Sequence, residues 1–237
     1  MLDPMIATAA ALITAHLLAD FVFQTNWMVA QKHRPLVLAL HGVIVFSLTV
    51  LALGGAVALA AALTVVHLAI DAVKIHALPD ERRDHLTAYL GDQAAHLVSI
   101  AVAVWWLPNA FATGIWAAHA PTLLPGAVFL CGLILATLAG GPAVGGLMAP
   151  YKAQAQPGGL ENAGKIIGLL ERALIYLMVM IGEPTSIGFL IAAKSILRFD
   201  TVSKDRHVSE YVIIGTLASF GWALIAAFAA QAALNYL

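Results

Sequence analysis

Apolar stretches of about 20 residues follow one another along almost the whole chain, separated by short polar or glycine-rich connections. Of its 237 residues, 61% are apolar and 11% are charged. Soluble domains carry about 25% charged residues. About 20 apolar residues are what an α-helix needs to cross a bilayer. The sequence therefore predicts an all-α integral membrane protein with no room for a soluble domain.

We expect about eight membrane-spanning helices in one polytopic bundle. Their approximate ranges are residues 6–30, 36–53, 56–78, 85–107, 121–139, 163–181, 184–199 and 208–236. The glycine-rich segment 140–146 is expected to end the fifth helix, because glycine and proline disfavour a helix interior. The polar loop 151–159 is expected to separate two membrane domains, residues 1–150 and 151–237.

Basic residues indicate the orientation of the bundle, since cytoplasmic loops are enriched in lysine and arginine. These residues lie in or beside the odd-numbered predicted loops and are absent from the even-numbered loops and both termini. The odd loops are therefore predicted to be cytoplasmic and both termini to face the other side, in a multi-pass protein of an inner (plasma) membrane. The lipid bilayer is the expected partner, nucleic acid is not expected, and a homo-oligomer is compatible with the composition.

Three pairs of histidine and aspartate are spaced four residues apart, which places both side chains on one helix face. The pairs are His16 with Asp20, His67 with Asp71, and Asp92 with His96. The order is reversed in the third pair, but its helix is predicted to cross the membrane in the opposite direction. The histidines are therefore expected in one layer and the aspartates in another, about 6 Å closer to the cytoplasm. His41 is expected at a similar depth.

One aspartate at the centre of a membrane helix costs about 2.5 to 3.5 kcal/mol, so three of them indicate groups that face one another. Three interpretations stay open: hydrogen bonds between helices, a proton or ion pathway, and a metal centre. Cys131 is the only cysteine, which leaves imidazole and carboxylate as the expected ligands. The metal interpretation predicts one or two divalent ions, zinc, manganese or iron, bound by six residues: His16, Asp20, His67, Asp71, Asp92 and His96.

A catalytic centre of this kind would use metal-activated water to attack an ester or phosphoester. His41, as a further ligand or a base, and Asp71 are then the predicted catalytic residues. Four cations are predicted to bind the anionic part of a small or lipid substrate: Lys74, Arg172, Lys194 and Arg198. An ion-pair network with Glu171 and Glu210 is the structural alternative for the last three. An ion- or proton-coupled transporter and a non-catalytic membrane scaffold are the competing hypotheses for the whole chain.

Short blocks of sequence carry a family resemblance. They are residues 15–27, His41-Gly42, residues 67–74 and residues 92–96. In these blocks the chain resembles a bacterial membrane family known as domain of unknown function 3307, over about residues 10–107. Blocks at 168–172, 193–199 and 210–216 are similar to its longer members. The resemblance implies membership of that family and brings no activity with it.

Overall fold

A computed structural model describes residues 3–83, 85–154, 162–202 and 206–237, and the side chains of these residues except 80, 81, 152–154 and 197–202. The helices, numbered in chain order, are α1 Pro4–Leu17, α2 Asn26–Gln31, α3 Pro35–Leu53, α4 Val57–Ala77, α5 Asp80–Arg83, α6 Leu86–Trp106, α7 Ala120–Ile134, α8 Gly140–Met148, α9 Ala163–Met180, α10 Ile187–Val202 and α11 Arg206–Leu234. Wide π-helical turns extend α1 over Leu18–Phe23 and join α7 to α8 over Leu135–Ala139. Short 3-10 turns lie at Ala117–His119, Ala149–Gln154 and Pro184–Ser186. No strand occurs among these residues, which confirms the all-α prediction.

Five helical segments in the described ranges are long and apolar enough to cross a membrane, fewer than the eight that we predicted. They are Pro4–Phe23, Pro35–Leu53, Val57–Ala77, Ala117–Tyr151 and Arg206–Leu234. The other three candidates fall short because α6 carries polar residues in its first half, α9 contains three charged residues, and α10 has 16 residues. The side chains that lower the hydropathy of α6 and α9 are those of the two predicted polar clusters.

Four helices, α1, α3, α4 and α6, form a first bundle. Within it α1 contacts α3 and α6, while α4 contacts both α3 and α6. A second group of helices, α7 to α11, has its own apolar core around Ile175 and Tyr176. The two groups meet where α1 packs against α7 and α6 packs against α8.

The connection between α6 and α7 closes one end of the first bundle. The buried hydroxyl of Thr8 donates to the carbonyl of Pro108 at 2.7 Å and accepts from the backbone N–H of Phe111 at 3.1 Å. Gly114 approaches the end of α3 so closely that a Cβ atom would lie 2.0 Å from the carbonyl oxygen of Leu53. These contacts fix the connection to the bundle without a charged group.

The first helix does not run unbroken to residue 30, as we predicted. It ends at Phe23, and Gln24 has an extended backbone with φ −81° and ψ 101°. The hydroxyl of Thr25 then caps α2 by accepting the backbone N–H of Met28 at 3.2 Å. A threonine that offers this cap starts a new helix, which explains the break in an otherwise apolar run.

The prediction that segment 140–146 ends the fifth helix is wrong, because this segment forms α8. The widened turn Leu135–Ala139 lies directly before Pro142, which has no N–H to complete a regular turn. Gly140 allows close packing, since a Cβ atom there would lie 2.7 Å from Trp222 and 2.9 Å from Arg172 Nε. Contacts with α6, α9 and α11 thus offset the weak helix propensity of the glycines.

Backbone carbonyls of the widened turn Leu135–Ala139 accept hydrogen bonds from three other helices. Trp222 on α11 donates to Leu135 at 2.8 Å, and Arg172 on α9 donates to Thr137 at 3.0 Å. Tyr89 on α6 donates its hydroxyl to Ala139 at 3.0 Å. One turn therefore links the second group of helices to the first bundle.

Candidate metal centre

Seven of the predicted side chains converge inside the first bundle. They are His16, Asp20, His41, His67, Asp71, Asp92 and His96. Each of these side chains is no more than 7% exposed. They come from α1 and its π-helical extension, α3, α4 and α6, so the structure brings together groups from four helices that the sequence placed at similar depth.

Four of these side chains direct potential ligand atoms toward one another. The Nε2 atoms of His41 and His67 are 3.0 Å apart. Asp20 Oδ1 lies 3.3 Å from the His41 nitrogen and 3.2 Å from the His67 nitrogen. Asp71 Oδ2 lies 3.6 Å and 3.5 Å from the same two nitrogens. We call these four residues the central set.

The other three predicted ligands adjoin the central set on the side of α6. His96 Nε2 lies 3.7 Å from Asp92 Oδ1 and 3.9 Å from Asp71 Oδ1. The ring of His96 stacks on that of His67 with centroids 4.0 Å apart, and lies 5.1 Å from the ring of His16. The three histidines therefore meet, with one nitrogen of each within 4.8 Å of the others.

Several buried polar atoms of the cluster have no hydrogen bond within the described structure. They include Nδ1 of His16, Oδ1 of Asp20, Oδ1 of Asp92 and both ring nitrogens of His96. Buried polar groups are normally hydrogen-bonded, because leaving one unsatisfied costs about 1–3 kcal/mol. Nitrogen and oxygen atoms of these types can instead be satisfied by a bound cation.

Two ammonium groups reach the cluster from its rim. Lys32 Nζ lies 2.7 Å from Asp71 Oδ2, and Lys74 Nζ lies 3.0 Å from Asp92 Oδ2. The lysine side chains are 14% and 28% exposed, respectively. Sequence reasoning missed Lys32 as a site residue, because an unbroken first helix would have carried it away from the cluster. The sequence did contain an indication of such a cation. Each buried carboxylate requires a counter-charge, and three aspartates exceed the number of cations on the same predicted helices.

Two glutamines contact the imidazoles and restrict their orientation. Gln93 Oε1 lies 3.2 Å from His16 Nε2. The amide nitrogen of Gln24 lies 3.1 Å from His41 Nε2. Gln24, the extended residue that ends the first helix, therefore also contacts His41 of the central set.

A small cavity lies beside the cluster. Its volume is about 20 Å³, and it is lined by His16, His67 and His96 together with Thr49, Ser99 and apolar side chains. A cavity of this volume is large enough for one water molecule when polar partners are present. The imidazoles supply such partners, so a water molecule can reach the histidine side of the cluster.

The second polar cluster, on α9 to α11, contains a partly buried ion pair. Lys194 Nζ lies 2.7 Å from Glu171 Oε2, and 5.2 Å from the centroid of the Phe220 ring. Glu210 pairs with Arg206, four residues earlier on α11, at 2.9 Å. The predicted network therefore contains the pair between Glu171 and Lys194, whereas Glu210 is engaged with an exposed cation of its own helix.

Arg172 is 5% exposed and donates to protein groups on two sides. Its guanidinium contacts Ser219 Oγ at 3.2 Å and the carbonyl of Thr137 at 3.0 Å. The side chain of Arg198 lies outside the described residues. The three described cations, Lys74, Arg172 and Lys194, already contact groups of the protein. Substrate binding through them and through Arg198 stays a prediction.

A known protein family matches the part of the chain that contains the cluster. The family described as protein of unknown function (DUF3307) matches residues 9–120. Over these residues the chain is similar to the DUF3307 family. This confirms the resemblance seen in the sequence blocks, and the DUF3307 match contains all seven residues of the cluster as well as Lys32 and Lys74. No curated protein and no solved structure matches the sequence at a significant level.

Proposed function

We propose that the first bundle binds one divalent metal ion, zinc, manganese or iron, in a multi-pass protein of the bacterial inner membrane. The observation that carries the proposal is the geometry of the central set, Asp20, His41, His67 and Asp71. A tetrahedral ion with bonds of about 2.0–2.2 Å holds its ligand atoms about 3.3–3.6 Å apart. Five of the six separations among these atoms lie between 3.0 and 3.6 Å, close to this spacing. Three of the residues, Asp20, His41 and His67, offer ligand atoms that all lie within 4.8 Å of one another.

The charges of the cluster favour a single ion. Three aspartates face two ammonium groups, which leaves one negative charge when the imidazoles are neutral, as metal ligands must be. A divalent ion brings the cluster to one positive charge, and a hydroxide then brings it to zero. A second divalent ion would leave a buried positive charge that is costly in a membrane.

The reaction that this charge balance supports is hydrolysis of an ester or phosphoester. An ion held by all four residues of the central set would need to bind water as a fifth ligand; it would then supply a hydroxide at neutral pH and polarise the bond to be cleaved. In this proposal His41 and Asp71 act as metal ligands, and His16, Asp92 and His96 remain beside the ion to accept or deliver a proton. The partly exposed side chains of Lys32 and Lys74 support access from the cytoplasmic side, where the distribution of basic residues predicts the adjacent loops.

Transport is the second candidate, and one observation favours it. Asp71 of the central set is bound by Lys32, and an ion that competes with a tethered ammonium can be released again. Reversible exchange of this kind suits a carrier better than a permanent catalytic metal. A non-catalytic scaffold remains the third reading, and it predicts that apolar replacements within the cluster are tolerated.

Elemental analysis of the purified chain tests the metal site. We expect one ion per chain in the natural protein, none in His67→Ala, and one in His76→Ala, which alters an exposed histidine on the same helix. Absence of metal from the natural protein after purification in the presence of zinc, manganese or iron would overturn the proposal.

The reaction class is tested on the metal-loaded protein. Hydrolysis of chromogenic esters and phosphoesters, absent in His67→Ala, would support the enzyme. Metal flux into proteoliposomes without hydrolysis would support the carrier instead.

A further inference from the structure

The ammonium group of Lys32 contacts the same oxygen atom that faces the two imidazoles of the central set. Its Nζ lies 2.7 Å from Asp71 Oδ2. That oxygen is also 3.5 Å from His67 Nε2 and 3.6 Å from His41 Nε2. A metal ion held by both histidines can bind this oxygen as well, and the ammonium and the ion then compete for one ligand atom.

Lys74, unlike Lys32, binds a carboxylate outside the central set. It binds Asp92 Oδ2 at 3.0 Å, whereas the other oxygen of Asp92 faces His96 at 3.7 Å. Neither oxygen of Asp92 belongs to the central set. Lys74 therefore contributes a similar charge to the cluster without contacting a ligand atom of the proposed ion.

The position of Lys32 allows its side chain to leave Asp71. Lys32 is the C-cap of α2, a helix of six residues that follows the break at Gln24. Its side chain is 14% exposed, and four methylene groups separate the ammonium from the backbone. Rotation of this side chain can carry the charge to the rim of the cluster without moving α3 or α4.

We propose that Lys32 is an internal cation that holds Asp71 in the metal-free protein and is displaced when a divalent ion binds. The inference rests on the proposed metal site and assigns its regulation. In the metal-free protein Lys32 neutralises a buried carboxylate that would otherwise be unpaired. Its competition with the ion makes metal binding weaker than it would be without Lys32.

Zinc affinity in lipid nanodiscs, measured by competition with a chromophoric chelator, tests this inference. Lys32→Gln should tighten zinc binding on the order of tenfold, because the competitor is gone. Lys74→Gln, which removes an equal charge, should change the affinity much less. Lys32→Arg keeps the charge and can bind Asp71 through two N–H groups, so it should weaken zinc binding.

Equal effects of Lys32→Gln and Lys74→Gln would overturn the inference, because they would show that only net charge matters. Weaker zinc binding in Lys32→Gln would overturn it as well. Lys32→Met provides a second variant if the glutamine variant does not fold. Failure of the metal site itself has a different signature, since the natural protein and Asp71→Asn would then both fail to bind zinc.

Discussion

His41 and His67 belong to different helices, and their Nε2 atoms lie 3.0 Å apart in the interior of the first bundle. A single shared proton would satisfy these two nitrogens, but Asp20 and Asp71 approach the same pair of atoms. One shared proton cannot also serve these carboxylate oxygens, whereas a cation can bind nitrogen and oxygen atoms together. The consequences of this arrangement can be tested separately for the central set and for its neighbours.

Replacement of two histidines should separate ligands from neighbouring groups. We expect His41→Ala to abolish metal binding, because it removes a ligand atom of the central set. His16→Ala should retain the ion with an affinity lower by about tenfold to a hundredfold, as is usual for residues that support a ligand. Zinc affinity and metal content of both variants provide the measurement. Complete metal loss in His16→Ala with metal retained in His41→Ala would contradict the assignment.

Metal removal should lower thermal stability, because an ion that binds only the folded protein stabilises it. At a free ion concentration one hundred times the Kd, this stabilisation is about 2.7 kcal/mol. The melting temperature in detergent should therefore fall after chelation and recover when metal is restored. Asp71→Asn is the control, since it lacks a ligand and should melt at the same temperature with and without chelator.

Two glycines of α8 should respond to alanine in opposite ways. Gly140→Ala places a Cβ atom 2.7 Å from Trp222 and 2.9 Å from Arg172 Nε, so we expect destabilisation of about 1–3 kcal/mol. Gly145→Ala meets no atom within 4 Å and should be neutral or stabilising by up to about 1 kcal/mol, as expected from helix propensity. The free energy of unfolding in a denaturing detergent measures both effects. Equal stabilities of the two variants would contradict the close packing at Gly140.

Loss of the partly buried ion pair between α9 and α10 should destabilise the protein. Glu171→Gln leaves Lys194 without its carboxylate partner, and we expect destabilisation of about 1–3 kcal/mol. Glu183→Gln changes an exposed glutamate near the end of the same helix and should have little effect. The free energy of unfolding in a denaturing detergent, measured for both variants, compares the two effects. A free energy of unfolding of Glu171→Gln equal to that of the natural protein would contradict this prediction.

Spacing in the sequence was sufficient to predict much of the candidate site. Four-residue separations place His67 and Asp71 on one face of a helix, and the cost of burying charge requires such faces to meet. The membrane restricts helices to nearly parallel packing, so groups at similar depth on adjacent helices have few alternative positions. For these reasons the cluster could be inferred without coordinates.

Other features depend on contacts between distant parts of the chain and could not be inferred in this way. The break at Gln24 reflects its contact with His41 and the cap formed by Thr25, and only this break explains the approach of Lys32 to Asp71. Gly140 lies in a helix because large side chains from α9 and α11 pack on it. In each case tertiary contacts outweigh the local preference of the backbone.

Tyr89 lies within residues 9–120, which match the DUF3307 family, whereas the acceptor of its hydroxyl, the Ala139 carbonyl, lies beyond them. The same widened turn also receives Arg172 and Trp222. A chain truncated after residue 120 would leave that tyrosine unsatisfied and remove a fixed support of the helix that bears Asp92 and His96. The C-terminal helices thus support α6, and a shift of α9 or α11 would be transmitted through the widened turn to Asp92 and His96 beside the central set.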